Sequence, residues 1–171
     1  MSGLFRRQLA DYVEYHRDPW NSVMHVYGIL SLFLAAILPL SSVHIAVFGV
    51  ETSLAVFLAL PVLIYWILLD TALGVAILAA AIALLSVGTM IVDSVSTITM
   101  WSIFAALAVS GVASQIIGHQ VFERRQPALI DNPSHLLLGP MFVMAKLFIA
   151  LGFRGDLAAI IAPTPSAVSP S

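Results

Sequence analysis

Two short stretches hold most of the side chains able to do chemistry in this chain. The first contains Tyr12, Glu14, Tyr15, His16, Arg17, Asp18, Asn21 and His25; the second contains Gln115, His119, Glu123, Arg124 and Arg125. Tyr12 and His16 are four residues apart, as are Asn21 and His25, and His119 and Glu123, so on a helix each pair shares a face. His16 and His25 are nine apart, which on one unbroken helix would set them about 180° from each other. Pro19 removes that objection. The residue before a proline is pushed out of helical geometry, and Asp18 can cap a new helix with Pro19 at its first position. A first helix folded back against a second could then aim both imidazoles at one point, with His119 approaching from a third. Three neutral imidazoles form a ligand set for iron, zinc or copper that leaves positions open for a small molecule.

The elements that must position these groups are apolar. Of 171 residues, 60% are hydrophobic and 9% charged, and the mean hydropathy is +1.02. A water-facing domain carries about a quarter of its residues as Asp, Glu, Lys or Arg, so this chain lacks the charge to cover such a surface. Charge-free runs at 19–50, 52–69, 71–92 and 94–122 are transmembrane candidates. Seven basic residues and a net charge of −2 exclude a phosphate-neutralising nucleic-acid surface. The absence of cysteine excludes disulfide frameworks, thiolate metal sites and cysteine nucleophiles. Arg6 and Arg7 lead into a polar stretch over 11–18, so no cleavable signal peptide is expected.

The pattern predicts an all-α polytopic membrane helical bundle, forming one integral membrane domain over residues 1–155. Residues 1–18 hold an amphipathic interfacial helix, with Leu4, Phe5, Leu9, Tyr12, Val13 and His16 near one face. Hydrophobic helices follow at 22–41, 53–69, 71–92 and 97–118, four spans, and a fifth at 135–153. The fifth contains Pro140 and Lys146, so it can be a tilted span, a re-entrant piece or an interfacial helix. Pro39, Ser41, Ser42 and His44 mark the first turn, Asp70 a very tight second, and Asp93-Ser94 the third. Residues 156–171, rich in Pro, Ser and Ala towards the end, read as a disordered tail. Arg6, Arg7 and Arg17 precede the first span while the 42–52 and 93–96 connections have no Lys or Arg, which sets the N-terminus in the cytoplasm. Four crossings bring His119 back to the same face as His16 and His25.

Other features have structural explanations. A lone interfacial His is ordinarily hydrogen-bonded or half-solvated, and His44, in an outer turn, is such a bystander. Arg124 and Arg125 serve first as positive-inside anchors, and Tyr65, Trp66 and Trp101 as interface aromatics. A serine hydrolase is disfavoured because Ser110 and Ser114 have no evident base beside them. His-box hydroxylases need a larger set than the five His here, and a bis-His haem would want imidazoles deep in the bilayer.

With these residues in hand, the chain resembles the membrane 2-hydroxy fatty acid dioxygenase family. The likeness rests on Tyr15-His16-x-x-Pro19-x-Asn21-x-x-x-His25 and on Gly118-His119-x-x-Phe122-Glu123-x-Arg125-x-Pro127-Ala128-Leu129-Ile130-Asp131-Asn132, and covers about residues 5–153. It implies oxidative shortening of a 2-hydroxy fatty acid by one carbon, using dioxygen and ferrous iron, Fe(2+), without a 2-oxoacid cosubstrate. By the same resemblance His16, His25 and His119 are the iron ligands, and Asn21 and Glu123 orient imidazoles or substrate. Arg125 and Arg124 pair with the substrate carboxylate, with Tyr12, Tyr15 and Gln115 also on the substrate side. His135 is left out of the ligand set. The implied partners are a long-chain 2-hydroxy fatty acid, dioxygen and membrane lipid, with no nucleic acid.

Two alternatives stand beside this reading. Three His also suit zinc, giving a membrane lipid hydrolase. A non-catalytic scaffold or small transporter would use the polar clusters only to anchor helix ends, although no internal repeat of the transporter kind is evident. Short loops and the lack of a retrieval signal point to a bacterial inner membrane, with the endoplasmic reticulum as the eukaryotic counterpart.

Overall fold

The computed structural model describes residues 1–16, 18–124 and 136–161. Helix α1 (Gly3–Val13) starts at Ser2, whose hydroxyl accepts the Phe5 N–H at 3.1 Å. Helix α2 (Pro19–Ser41) begins as the sequence dictates: the Asp18 carboxylate accepts the N–H groups of Trp20 and Asn21, and Pro19 occupies the first turn. Helices α3 (Leu54–Leu69) and α4 (Thr71–Ser94) share Asp70 between them, and α5 (Thr97–Ile117) runs on without a break into a π-helical turn, Gly118–Glu123. That turn ends at Arg124 in left-handed geometry, φ 54°. Helices α6 (Leu138–Ala150) and α7 (Gly155–Ile161) complete the fold.

The all-α expectation holds, with one addition. The connection after α2 contains a small antiparallel hairpin, β1 (His44–Val47) and β2 (Val50–Ser53), closed by Phe48 and Gly49, both at positive φ. Those dihedrals are the ones a two-residue hairpin turn needs to match the strand twist. Pro39 lies inside α2 rather than beyond it, and the helix ends two residues later.

Among the described residues, three helices are long and apolar enough to cross a membrane: α2, α4, and α5 with its π-helical turn, the last two segments together making 27 residues. Helix α3 has 16 residues and α6 has 13, or about 24 and 20 Å at 1.5 Å per residue against a hydrocarbon core of about 30 Å. The five hydrophobic helices expected at 22–41, 53–69, 71–92, 97–118 and 135–153 are all present, three of them long and two shorter.

Helices α2 and α5 lie against each other because small residues let their backbones approach. A Cβ on Gly28 would collide with the side chains of Ser114 and Gln115, and one on Gly111 would come within 2.8 Å of Leu32. Helix α1 is also packed on protein. Its apolar face, Phe5, Leu9, Tyr12 and Val13, is buried in one core with Leu73, Leu138, Phe142 and Leu157. The amphipathic pattern was legible, but the partner of that face is the bundle itself.

The tail does not begin at 156. Gly155–Ile161 is helical, Leu157 is fully buried, and Arg154 donates to both Asp70 and Asp156, which fixes this helix to the α3–α4 junction. Residues 162–171 lie outside the described residues. Trp66 is a further correction: it is buried, with its indole N–H donating to the Leu137 carbonyl at 2.7 Å, and does not face an interface.

Candidate metal centre

Local chain chemistry brings the first two imidazoles together. Helix α1 unwinds through hydrogen bonds from the Tyr15 and His16 N–H groups to the Tyr12 and Val13 carbonyls, which puts His16 just past its end. The His16 ring stacks on Tyr12 at 4.1 Å with 6° between planes. Its Nδ1 donates to the Tyr12 carbonyl at 2.9 Å, so the proton is on Nδ1 and Nε2 carries a lone pair. His25 sits one turn beyond Asn21 on α2, where its Nε2 is 2.6 Å from the Tyr12 hydroxyl. The π-helical turn after α5 delivers His119.

The three rings form one cluster, with centroids 4.4 Å apart for His16 and His25, 4.9 Å for His16 and His119, and 5.5 Å for His25 and His119. One ring nitrogen of each lies within 4.8 Å of the corresponding nitrogen of the others. His16 and His119 are 3% and 2% exposed. His16 Nε2, His25 Nδ1 and His119 Nδ1 are all buried with no hydrogen-bond partner among the described residues. A buried polar atom left unpaired costs about 1–3 kcal/mol. Three of them, one per ring of a single cluster, are accounted for if one cation accepts all three lone pairs. Nitrogens at about 2.1 Å from one ion stand no more than about 4.2 Å apart, so the cluster is already close to ligating geometry. Burial, then the neighbouring charge of His25, pushes the His16 imidazole far below its usual range against the opposing pull of the Tyr12 carbonyl, so it is neutral and able to ligate at pH 7. Burial likewise raises the Tyr12 phenol, which stays protonated.

Among the described residues, Asn21 and Glu123 make no hydrogen bond to the imidazoles. Glu123 accepts the Asp18 N–H at 2.7 Å and the Asn21 side-chain amide at 3.1 Å, and Asn21 also donates to the Tyr15 carbonyl at 3.4 Å. They clamp the π-helical turn onto the α1–α2 corner and so hold His119 against His16 and His25. Gly118 permits the clamp, since a Cβ there would strike Asn21 Oδ1. Gln115 donates to the His25 carbonyl at 3.1 Å. Arg124 is exposed at the end of the turn, where its left-handed backbone terminates the π-helix. Arg125 and His135 lie outside the described residues. Tyr15 is half-buried at the corner, and His44 is exposed on the hairpin.

Two neighbours escaped the spacing argument. Phe142 of α6 packs 5.4 Å from the His16 ring and 5.1 Å from Tyr12. Lys146 reaches over Phe142, 4.8 Å from its centroid, and donates to the Ser22 hydroxyl. A lone cation in an apolar segment was the available signal for Lys146; nothing in the spacing ties Phe142 to His16. The cluster opens into a cavity of about 500 Å³ whose wall includes Tyr12, His16, His25, Gln115 and His119, and is otherwise almost wholly apolar.

Comparison with known proteins agrees with this chemistry. A family model described as "2-hydroxy-palmitic acid dioxygenase Mpo1-like" matches residues 3–151. The 2-hydroxy-palmitic acid dioxygenase MPO1 of Saccharomyces cerevisiae is 33% identical over 159 residues, covering 91% of this chain and 86% of the yeast protein. No solved structure matches.

Proposed function

Since the chain belongs to the Mpo1-like family, we propose that it is an iron(II)-dependent dioxygenase that shortens long-chain 2-hydroxy fatty acids by one carbon. The observation that carries this reading is a cluster of three imidazoles, each with an unpartnered buried nitrogen, in the wall of an apolar cavity. His16, His25 and His119 hold the metal. When bound, ferrous iron supplies dioxygen activation and open positions for the substrate's 2-hydroxyl and carboxylate. Zinc fits three imidazoles equally well, but it has no redox chemistry to offer a dioxygenase.

The protein's own residues bind, orient and exclude water. Tyr12 fixes the orientation of His25, and the Tyr12 carbonyl fixes the tautomer of His16. The Asn21–Glu123 clamp holds the third imidazole in place. The apolar wall accepts the acyl chain and keeps water from the reacting carbons. Lys146, half-buried beside the cluster, and Arg125 supply positive charge for the carboxylate.

The setting is a membrane. Helices α2 to α5 cross it and return the chain to its starting face, with the N-terminus and iron centre on the cytoplasmic side, in a bacterial inner membrane or, in a eukaryote, the endoplasmic reticulum. A 2-hydroxy fatty acid then reaches the iron without leaving lipid. The test is mass spectrometry of products formed from 2-hydroxyhexadecanoate by the iron-loaded protein under oxygen. The expected product is the fatty acid one carbon shorter, and unchanged substrate, or a product of unchanged carbon number, overturns the reading.

A further inference from the structure

A second cavity of about 470 Å³ lies among α2, α3, α4 and α6, and its wall includes Leu40, Leu58, Trp66 and Leu84. It shares Ile29, Phe33, Ala36, Val62 and Pro140 with the cavity at the imidazoles. The two spaces therefore abut along one wall, and each is of ligand size. Helix α2 runs beside both, presenting His25, Ile29, Phe33, Ala36 and Leu40 in turn at helical spacing.

Building on the dioxygenase reading, we infer that the two cavities form one acyl channel along α2, and that Phe33 and Ala36 at their junction set how far a fatty chain can extend from the imidazoles. From His25 to Leu40 is about 22 Å of helix, and from His25 to Phe33 about 12 Å. An all-trans chain advances about 1.25 Å per carbon, from a C–C bond of about 1.5 Å and a bond angle of about 111°. The proximal cavity thus takes about ten carbons, and the whole channel about eighteen. Phe33 leans on Trp66 with ring centroids 6.3 Å apart, and Trp66 is pinned to the Leu137 carbonyl, so the junction has one fixed side. Methylenes that leave a bilayer for this channel gain little, because lipid tails are as apolar as its walls. Chain length is then selected by what fits.

Two measurements test the channel. Ala36→Phe adds bulk at the junction, and it should lower the ratio of turnover on 2-hydroxyhexadecanoate to turnover on 2-hydroxydecanoate by about ten-fold or more, as overpacking does. Phe33→Ala removes bulk there and should move that ratio the other way. The second measurement needs no turnover and guards against a variant that fails to fold. Wild-type protein is photolabelled with 2-hydroxyhexadecanoate carrying a diazirine at carbon 6 or at the chain end, and adducts are mapped by mass spectrometry. The carbon-6 probe should mark Ile29 or Leu137, and the terminal probe Leu40, Leu58 or Leu84. An unchanged ratio in folded Ala36→Phe, or terminal adducts on the outward-facing Leu60 and Leu68, overturns the channel even when turnover proceeds. Adducts that step along α2 in a protein that turns over no 2-hydroxy acid leave the channel standing and sink the activity instead.

Discussion

Tyr12 and His25, thirteen residues apart and on different helices, meet with 2.6 Å between the phenol oxygen and Nε2. Because His25 Nδ1 is the buried nitrogen without a partner, the ligating tautomer places its proton on Nε2, where it is donated to the Tyr12 oxygen. Partners of this kind raise the basicity of a ligand and fix its ring. Tyr12→Phe keeps the ring that stacks on His16 and removes only the acceptor, so metal affinity should fall by about 10–100-fold. Iron competition against a chelator of known affinity checks this; an unaltered affinity would show that the phenol is packing only.

Glu123 is a positioning residue, acting on the imidazoles through Asp18 and Asn21. Glu123→Ala leaves two donors unpaired and should destabilise the protein by about 1–3 kcal/mol. For a chain of this size that is several degrees of Tm at roughly 2–4 °C per kcal/mol. Glu123→Gln, which keeps an acceptor oxygen, should lose less. The Tm of the apo proteins in detergent measures the clamp, and the metal content at a fixed temperature measures its consequence for His119.

Asp70 ties α3, α4, α1 and α7 together. Its carboxylate caps α4 through the Leu73 N–H at 3.1 Å, takes Arg154 in two hydrogen bonds of 2.8 and 3.0 Å, and lies 3.5 Å from the Met1 ammonium. Burial pushes its titration up, but the hydrogen bonds from Arg154 and Leu73 and the two positive charges outweigh burial and hold it below the ordinary carboxylate range. A carboxyl depressed in the folded state adds stability that is present above its unfolded value, about 3.9, and is lost as pH falls through the lower folded value. The protein should therefore lose stability steeply below about pH 4, and Arg154→Leu should flatten that fall while lowering stability at pH 7 by about 2–3 kcal/mol. This is less than a fully enclosed pair would lose, since Arg154 keeps contact with water. Unfolding measured against pH for both proteins checks the sign.

The residues that could ligate were legible because a polar side chain in so apolar a chain needs a reason to be there. The turn at Asp18-Pro19 was legible too, since proline geometry and capping chemistry act locally. What escaped the sequence depends on tertiary partners. Arg154 pairs with Asp70 across 84 residues, and Trp66 finds the Leu137 carbonyl across 71. An aromatic at a span end looks the same in sequence whether it meets lipid headgroups or another helix. The face of α1 had the amphipathic pattern of a membrane-surface helix, and nothing local showed that Leu138 and Phe142 would cover it. Asn21 and Glu123 were expected to orient imidazoles or substrate, but spacing did not show that they would do so through bonds to each other and to backbone. Helical spacing can place residues on one face of a helix without saying which atom on the facing helix each will meet.

The central claim is that His16, His25 and His119 hold one iron between them. Metal content per chain, measured after anaerobic purification and iron loading, tests it most directly. The account predicts one iron in the wild type and in His44→Ala, and almost none in His16→Ala, His25→Ala or His119→Ala. Equal iron in all four variants would contradict it.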